Sequence, residues 1–463
     1  MSAKVIVMPQ AKAVSDPPSE HDVAAEFTAC HDYDTRFDCD RNRWFRFDGA
    51  RWEEQPPGVV FSEVRDLAFA MSGGHRKACS HAFISGAEAI AKKDGAHEVR
   101  SVDWNPDPFL LGTPDGTVDL TTGKLRPSLS EDRITKLASV SPASGPPARW
   151  LAFLQQATAG DKQLIRFLQQ LCGYALTGDT REHALFFIHG PGGNGKGVFL
   201  NTVTKILGDY AVTAQMDTFI ASRNDRHPTE LAMLQGARLV TAQETEEGRS
   251  WAESRIKQLT GGDPITARFM RQDNFTYRPR FKLVFAGNHE PVLRNVDEAM
   301  RRRFNMVPFK HKPATVDPQL EERLIEEHPQ ILQWMVEGCL DWLTNGLVRP
   351  AVVTQQTASY FEEQDLLGQW IEQRCETGPM FYEAAGKLFN SWKAFAHAAG
   401  DNPGKQKSFG ASLRKRGFIP DQAATVDRTR IYRGVRLVTD LEHASEQGSR
   451  PASPAAYDDD ERP

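Results

Sequence analysis

The chain has 463 residues, too many for one ordinary hydrophobic core, so two or three domains are expected. Hydrophobic residues make up 40% and charged residues 25%, which excludes a disordered or fibrous chain. A net charge of −5 excludes a polycation, so any nucleic-acid contact must come from local patches. Six cysteines, at 30, 39, 79, 172, 339 and 375, lack CxxC spacing and read as free buried thiols. His21, Cys30, His31 and Cys39 fit no zinc spacing. No apolar run approaches ~18 residues and the N-terminus lacks a signal-peptide core, so the expectation is a cytoplasmic protein with no membrane contact.

Residues 1–20 and 443–463, rich in Pro, Ser and charge, predict disordered tails. From 41, RNRWFRFDGARWEE predicts two short aromatic strands joined by an Asp-Gly turn. Helical periodicity covers 61–95, and short turn-rich strands return over 103–127. SPASGPPARW at 141–150 reads as a linker, 151–177 as helices, and 183–310 as alternating strand, helix and loop. The span 317–346 is helical, VRPAVV marks a break, and 358–440 reads as a small helical domain closing on a strand pair.

The most informative stretch is 184-ALFFIHGPGGNGKGVFLNTVTKIL-207, an apolar strand, a Gly-rich turn, a lysine and an amphipathic helix. Gly190, Pro191, Gly192, Gly193, Asn194, Gly195 and Lys196 satisfy GxxxxGK. Glycines permit positive φ, so successive backbone N–H groups can face phosphate oxygens. The helix N-terminus and Lys196 add positive charge. The next residue, Gly197, stands where a Ser or Thr hydroxyl normally meets magnesium. A second apolar strand, in ARLVTAQETEEG, ends in Gln243-Glu244, 48 residues after the lysine. A carboxylate there can polarise an attacking water and hold magnesium through its outer shell. A third strand, FKLVFAG, delivers Asn288, whose amide can bond the γ-phosphate or the lytic water. Beyond it, DEAMRRRFNMVPF places three arginines before a strand-like run, where one can neutralise transition-state charge.

GPGGNGKG, ETEEG, KQLTGGDPITARFM, the strand ending AGN, and DEAMRRRFNMVPF, in that order, resemble the superfamily 3 helicases. The likeness is to the C-terminal helicase part of the poxvirus and phage/plasmid primase–helicases, and covers roughly 40–310. It implies an α/β fold: an AAA+-like P-loop ATPase core at 151–346, an N-terminal α+β preamble at 21–150, and a C-terminal winged-helix domain. By position it implies Lys196 as phosphate-loop lysine, residues 190–197 as the ATP-binding loop, and Glu244 as Walker B carboxylate and magnesium residue. Asn288 becomes the sensor and Arg303 the arginine finger, with Arg302 as the alternative. ATP and Mg2+ are the implied cofactors, and a homo-oligomer, commonly a hexameric ring, the implied assembly. The location becomes the bacterial host cytoplasm if the chain is phage-encoded. Gly197 and the uncharged Gln243 depart from the family pattern and remove two direct metal contacts.

The family also implies a hairpin over 263–285 that projects into the ring channel. Arg268 and Arg271, with Lys257 on the preceding helix, are its candidate contacts to single-stranded or forked DNA, directed at phosphates and indifferent to sequence. Farther on, 401–436 carries nine Lys/Arg against three Asp. Two helices followed by a basic hairpin resemble a winged-helix module over 358–440, with Ser408, Arg414, Lys415 and Arg416 facing duplex DNA. A polymerising domain has no room here: Asp38-Cys39-Asp40 sits in the aromatic preamble, so a primase or replisome partner would be a separate protein. The expected function is an ATP-driven ring helicase for phage or mobile-element replication. The alternative is a DNA-binding initiator or copy-control protein using nucleotide as an assembly switch.

Overall fold

The computed structural model describes residues 17–221, 229–244, 249–270, 273–293, 297–313, 315–423 and 429–438, with the side chain of Glu244 excepted. It divides into two compact units, residues 1–357 and 358–463. The expected tail at 443–463, like residues 1–16, lies outside the described residues. At 17–20 the expectation of disorder fails. Ser19 accepts from the Asp22 N–H at 3.2 Å and its own N–H donates to the Asp22 carboxylate at 2.9 Å, a capping box that starts α1 (Glu20–His31).

The N-terminal part of unit 1 is a small four-stranded sheet under three helices. β1 (Thr35–Asp38), β2 (Arg43–Phe47), β3 (Trp52–Glu54) and β4 (Glu98–Val99) run in the order β3-β2-β1-β4. Helices α1, α2 (Pro57–Ser72) and α3 (His81–Ala91) bury Phe27, Val60, Val64 and Ile84 with Phe37 and Trp44. The β2–β3 turn forms at Asp48-Gly49, as its residues dictate: Gly49 has φ +100°, and the Asp48 carboxylate accepts from the N–H groups of Ala50 and Arg51 at 2.7 and 2.8 Å. Asp38 is fully buried, accepting from Ser101 Oγ at 2.8 Å and Trp104 Nε1 at 2.9 Å, so its carboxylate ties the sheet together. A three-stranded antiparallel sheet follows, of β5 (Leu110–Thr113), β6 (Gly116–Asp119) and β7 (Lys124–Arg126), and then α4 (Ala148–Ala157) and α5 (Lys162–Leu176).

The centre of the unit is a five-stranded parallel sheet. Its chain order is β8 (Leu185–His189), α6 (Lys196–Leu207), β9 (Ala211–Thr213), α7 (Thr229–Ala232), β10 (Leu239–Glu244) and α8 (Glu253–Gly261). After these come the hairpin strands β11 (Ile265–Ala267) and β12 (Phe275–Tyr277), then β13 (Lys282–Gly287), α9 (Glu298–Arg303) and β14 (Phe304–Pro308). The spatial order is β14-β8-β13-β10-β9, with every pairing parallel. All residues of β8, β13 and β14 are buried, which is why they read as continuous apolar runs. Helix α6 buries Phe199, Val203, Ile206 and Leu207, one stripe at helical spacing.

Helices α10 (Leu320–Leu324), α11 (His328–Asn345) and α12 (Ala351–Gln364) complete the unit, the division from unit 2 falling within α12. The crossing of α5 and α11 is glycine-dependent. A Cβ on Gly173 would lie 2.1 Å from the Cys339 nitrogen, and one on Gly338 2.1 Å from the Gln169 carbonyl oxygen. Two cations without carboxylate partners among the described residues anchor the base of the sheet to the end of α5. Arg238 donates to the Leu176 and Leu110 carbonyls over the Tyr210 ring. Lys282 donates to the Thr177 carbonyl over the Tyr174 ring, and burial pushes its pKa well down. The negative end of the α5 dipole compensates the two buried charges.

Unit 2 differs from the expected strand pair by one strand. α13 (Leu366–Arg374) leads into β15 (Cys375–Ala384), followed by α14 (Ala385–Ala398), α15 (Gln406–Lys415), β16 (Ile419–Gln422) and β17 (Arg430–Leu437). The sheet order is β15-β17-β16, so the expected hairpin TRIYRGVRLV is one central strand. β15 has no clean alternation because it contains Gly378-Pro379 and its register with β17 shifts between Thr377 and Tyr382. Trp370, Leu388, Trp392, Phe409, Leu413 and Val435 form its core.

All six cysteines are free, but only Cys172, Cys339 and Cys375 are buried. Cys30 and Cys39 are exposed, correcting the expectation of buried thiols. Among the described residues there is no cluster of metal-ligating side chains, and no helix is long and apolar enough to cross a membrane.

Candidate functional site

The strand registers bring the sequence motifs to one edge of the sheet. Glu244 pairs with Gly287, Gly287 with His189, and His189 with Pro308. Motifs far apart in sequence therefore leave neighbouring strand ends, about 5 Å apart per strand. The Gly-rich turn follows His189, Asn288 follows Gly287, and Glu244 ends its own strand. The Glu244 side chain lies outside the described residues.

Within the turn, glycine is required for two separate reasons. Gly190 has φ +152°, and a Cβ there would meet the Phe309 carbonyl oxygen at 2.0 Å. Gly195 has φ +87°, and its Cβ would meet the buried Phe153 ring at 2.6 Å. Gly193 (φ +78°) and Gly195 flank Asn194, whose φ is negative, the alternation that turns consecutive N–H groups to one side. Asn194 is buried and its amide donates to the Phe309 carbonyl, fastening the turn to the end of β14.

Lys196 is the first residue of α6 and is 8% exposed. Its ammonium donates to the Gly190 carbonyl at 2.7 Å, the Pro191 carbonyl at 3.4 Å, and the side-chain oxygens of Asn194 and Asn288, each at 3.0 Å. Asn288, proposed from sequence as a separate sensor, thus touches the lysine directly. Burial lowers the pKa of Lys196, and oxygen acceptors on several sides stabilise its charge. The neighbouring His189 is buried, its pKa pushed down to about 4 by burial and by the charges of Lys310 and Lys196. Glu290, 3.9 Å away, is too distant for a hydrogen bond, so the imidazole is neutral at neutral pH.

A cavity of about 430 Å³ opens beside the turn. It is lined by Gly192 to Val198 and Asn288, and walled by Phe153, Gln156 and Ala157 of α4 and by Pro313, Val316 and Leu320 beyond β14. Polar backbone and a lysine lie at one end, and the facing walls mix the apolar Phe153, Pro313, Val316 and Leu320 with the polar Gln156, Thr315 and Asp317. Gly197 is exposed, and a Cβ there would meet nothing within 4 Å, so no packing demands glycine. Gly197 offers no hydroxyl and Gln243 no charge, so neither can ligate a metal directly as a Ser, Thr or acid there would.

Other expected residues are scattered. Arg303 is half-buried, donating to Thr260 Oγ1 at 3.2 Å and the Ala299 carbonyl at 2.8 Å. Arg302 is exposed and has no partner among the described residues. Lys257 is paired with Asp297, so it ties α8 to α9 instead of standing free. Arg268 is exposed beside β11, and Arg271 lies outside the described residues. The sequence reading missed Phe269, which stacks on Phe275 with ring centres 5.5 Å apart, and Met270, 77% exposed on the same hairpin.

In unit 2, Arg414 and Lys415 are exposed at the end of α15. Ser408 is spent on helix capping, its hydroxyl bonding the Lys405 carbonyl at 2.7 Å, and Arg416 is paired with Asp365. Also exposed, in one row across the sheet, are Tyr382, Arg433 and Ile419.

Two family models match, "D5 N terminal like" over 25–159 and a family of unknown function, DUF5906, over 188–303. The "Putative helicase L207/L206" of Acanthamoeba polyphaga mimivirus is 25% identical over 303 residues, 59% of this chain and 31% of its own length. The "Putative helicase 022R" of Frog virus 3 is 25% identical over 273 residues, 54% of this chain and 28% of its own. The "Putative primase C962R" of African swine fever virus (strain Badajoz 1971 Vero-adapted) is 23% identical over 312 residues, 61% of this chain and 32% of its own. A D5-like segment, a DUF5906 segment and similarity to viral putative helicases and primases are together consistent with a primase–helicase family of the phage and poxvirus type. The matched part of the chain spans about a third of the length of these relatives. In fold it is similar to the C-terminal region of NrS-1, with a TM-score of 0.50 at 10% identity over 90% of this chain and 100% of that one. The D5-like match ends two residues past α4, so Phe153 belongs to the first match and the Gly-rich turn to the second, and one cavity takes a wall from each.

Proposed function

We propose that this chain is the motor of a replication helicase, hydrolysing ATP to move along single-stranded DNA. The observation that carries the reading is the shared sheet edge. Lys196 is bonded to Asn288, and the strand end at Glu244 lies two strands from the turn that opens the cavity. In this reading the five-stranded core, with 151–346, is an AAA+-like P-loop ATPase of superfamily 3 type. Residues 21–150 are its preamble, and 358–440 a winged-helix DNA-binding domain. ATP lies with its phosphates over residues 190–197 and its base between Phe153 and Val316. Magnesium, when bound, offsets charge that builds on the phosphates in the transition state. Lys196 binds the terminal phosphates, Asn288 orients both the lysine and the attacking water, and Glu244 polarises that water.

Subunits assemble as a ring, commonly a hexamer, with an arginine reaching a neighbour's nucleotide. Arg303 is the residue the motif selects, and it would exchange its bonds to Thr260 and Ala299 for the phosphate. Arg302 is already exposed. The hairpin carrying Arg268, Arg271 and Phe269 follows the DNA strand, with Lys257 supporting it through Asp297.

DNA-stimulated ATPase and strand-displacement assays test the proposal. Glu244→Gln should abolish turnover while preserving ATP binding; normal unwinding by that variant would refute the role of Glu244. Mixed assemblies of Lys196→Ala subunits with either Arg302→Ala or Arg303→Ala subunits identify the arginine, because only the true finger variant regains activity by mixing. Nucleotide-dependent assembly on DNA without any unwinding would favour the initiator or copy-control reading.

A further inference from the structure

A second lysine stands over the Gly-rich turn. The side chain of Lys312 lies against Gly193: from the position a Cβ would take there, Lys312 Cε is 3.3 Å away and Nζ 3.8 Å. Lys312 is exposed, and among the described residues its ammonium has neither a hydrogen bond nor an ion pair. Neighbouring charges are otherwise engaged, Lys310 with Gln356 at 2.7 Å and Asp317 with Arg323. The next residue, Pro313, lines the cavity, so Lys312 sits where the wall beyond β14 meets the turn.

We infer that Lys312 is a second phosphate-binding cation, gripping the terminal phosphates of a nucleoside triphosphate from the side opposite Lys196. This rests on the nucleotide-site reading above and deepens it. The physical need is visible in the site. Gly197 supplies no hydroxyl and Gln243 no charge, so the protein's direct hold on magnesium is weak while the phosphates remain highly charged. A cation from the same subunit supplies part of that neutralisation without a metal. An ammonium suits the task, being a compact point charge with three donors on a flexible stem. Glycine at 193 keeps the space open for it. Lys312 therefore makes nucleotide binding less dependent on magnesium than the turn alone would allow.

The test measures binding of a fluorescent ATP analogue to the full chain with excess magnesium and again with EDTA. It compares the wild type, Lys312→Met, Lys312→Arg and Lys196→Ala. Lys312→Met should bind about tenfold more weakly in EDTA, the loss expected of one charge-assisted contact, with a smaller loss in magnesium. Lys312→Arg should stay within about twofold of wild type. Wild type, Lys312→Met and Lys312→Arg should melt together, since among the described residues the Lys312 ammonium makes no hydrogen bond or ion pair. Equal binding by Lys312→Met and wild type in EDTA overturns the inference. If Lys196→Ala still loses binding in that case, the nucleotide site stands and only the role of Lys312 falls. Absence of binding by the wild type removes both.

Discussion

Gly197→Ser restores the hydroxyl that this turn lacks, and its consequences can be worked from the structure. Gly197 is the second residue of α6, does not have left-handed φ, and has nothing within 4 Å of an added Cβ, so the substitution carries no steric cost. Exchanging glycine for serine in a helix gains at most about 0.5 kcal/mol, and less in a first turn. In a unit of this size that moves Tm by no more than about 1 °C. The hydroxyl would replace one water in the magnesium shell, a polar contact of about 1 kcal/mol, equivalent to about fivefold in affinity. Titrating MgCl2 into protein with a fluorescent ATP analogue measures this directly. The magnesium concentration at half-effect should fall about fivefold with Tm unchanged. An unchanged midpoint would show that the metal does not sit beside residue 197. A raised midpoint would show that the glycine has a role the structure does not reveal.

Gly190→Ala should be far more damaging, because the added Cβ meets backbone at 2.0 Å that cannot swing aside. A loss of at least about 2 kcal/mol is expected, read as a lower denaturant midpoint together with lost nucleotide binding. His189 makes stability depend on pH. Its folded pKa of about 4 lies below the unfolded value of about 6.5, so the unfolded state binds the proton first. Stability should fall as pH drops through that window, by up to about 3 kcal/mol, and His189→Gln should flatten the curve in denaturant titrations at pH 4 to 7. Replacing Arg414 and Lys415 together by alanine should weaken duplex binding and lower the salt slope by about 2, measured by fluorescence anisotropy at several salt concentrations, while Ser408→Ala should chiefly lower helix stability.

The turn, the strand before it and the helix after it were legible in the sequence because each depends on residues adjacent in the chain. Glycines at 190, 193 and 195 announce positive φ, and apolar spacing announces α6. The Asp48-Gly49 turn was legible for the same reason. The strand ends at Glu244 and Gly287 could be read as strand ends, but that they lie side by side with His189 is a matter of register, set by packing across the whole sheet. β15 escaped notice because Gly378-Pro379 and a register shift interrupt its pattern, and its partner β17 starts 46 residues beyond its end. The cavity walls were illegible for a related reason. Phe153 reads as an ordinary core residue of α4, and only the path of the chain brings it against Gly195. Lys257 and Ser408 looked like free polar groups until the fold assigned them Asp297 and the cap of α15. Local backbone chemistry, written in consecutive residues, determined from sequence alone the glycine-rich turn between β8 and α6. Only tertiary packing, which joins residues distant in the chain, decided which side chains surround that place, with Lys312 standing over it and Asn288 bonded to its lysine.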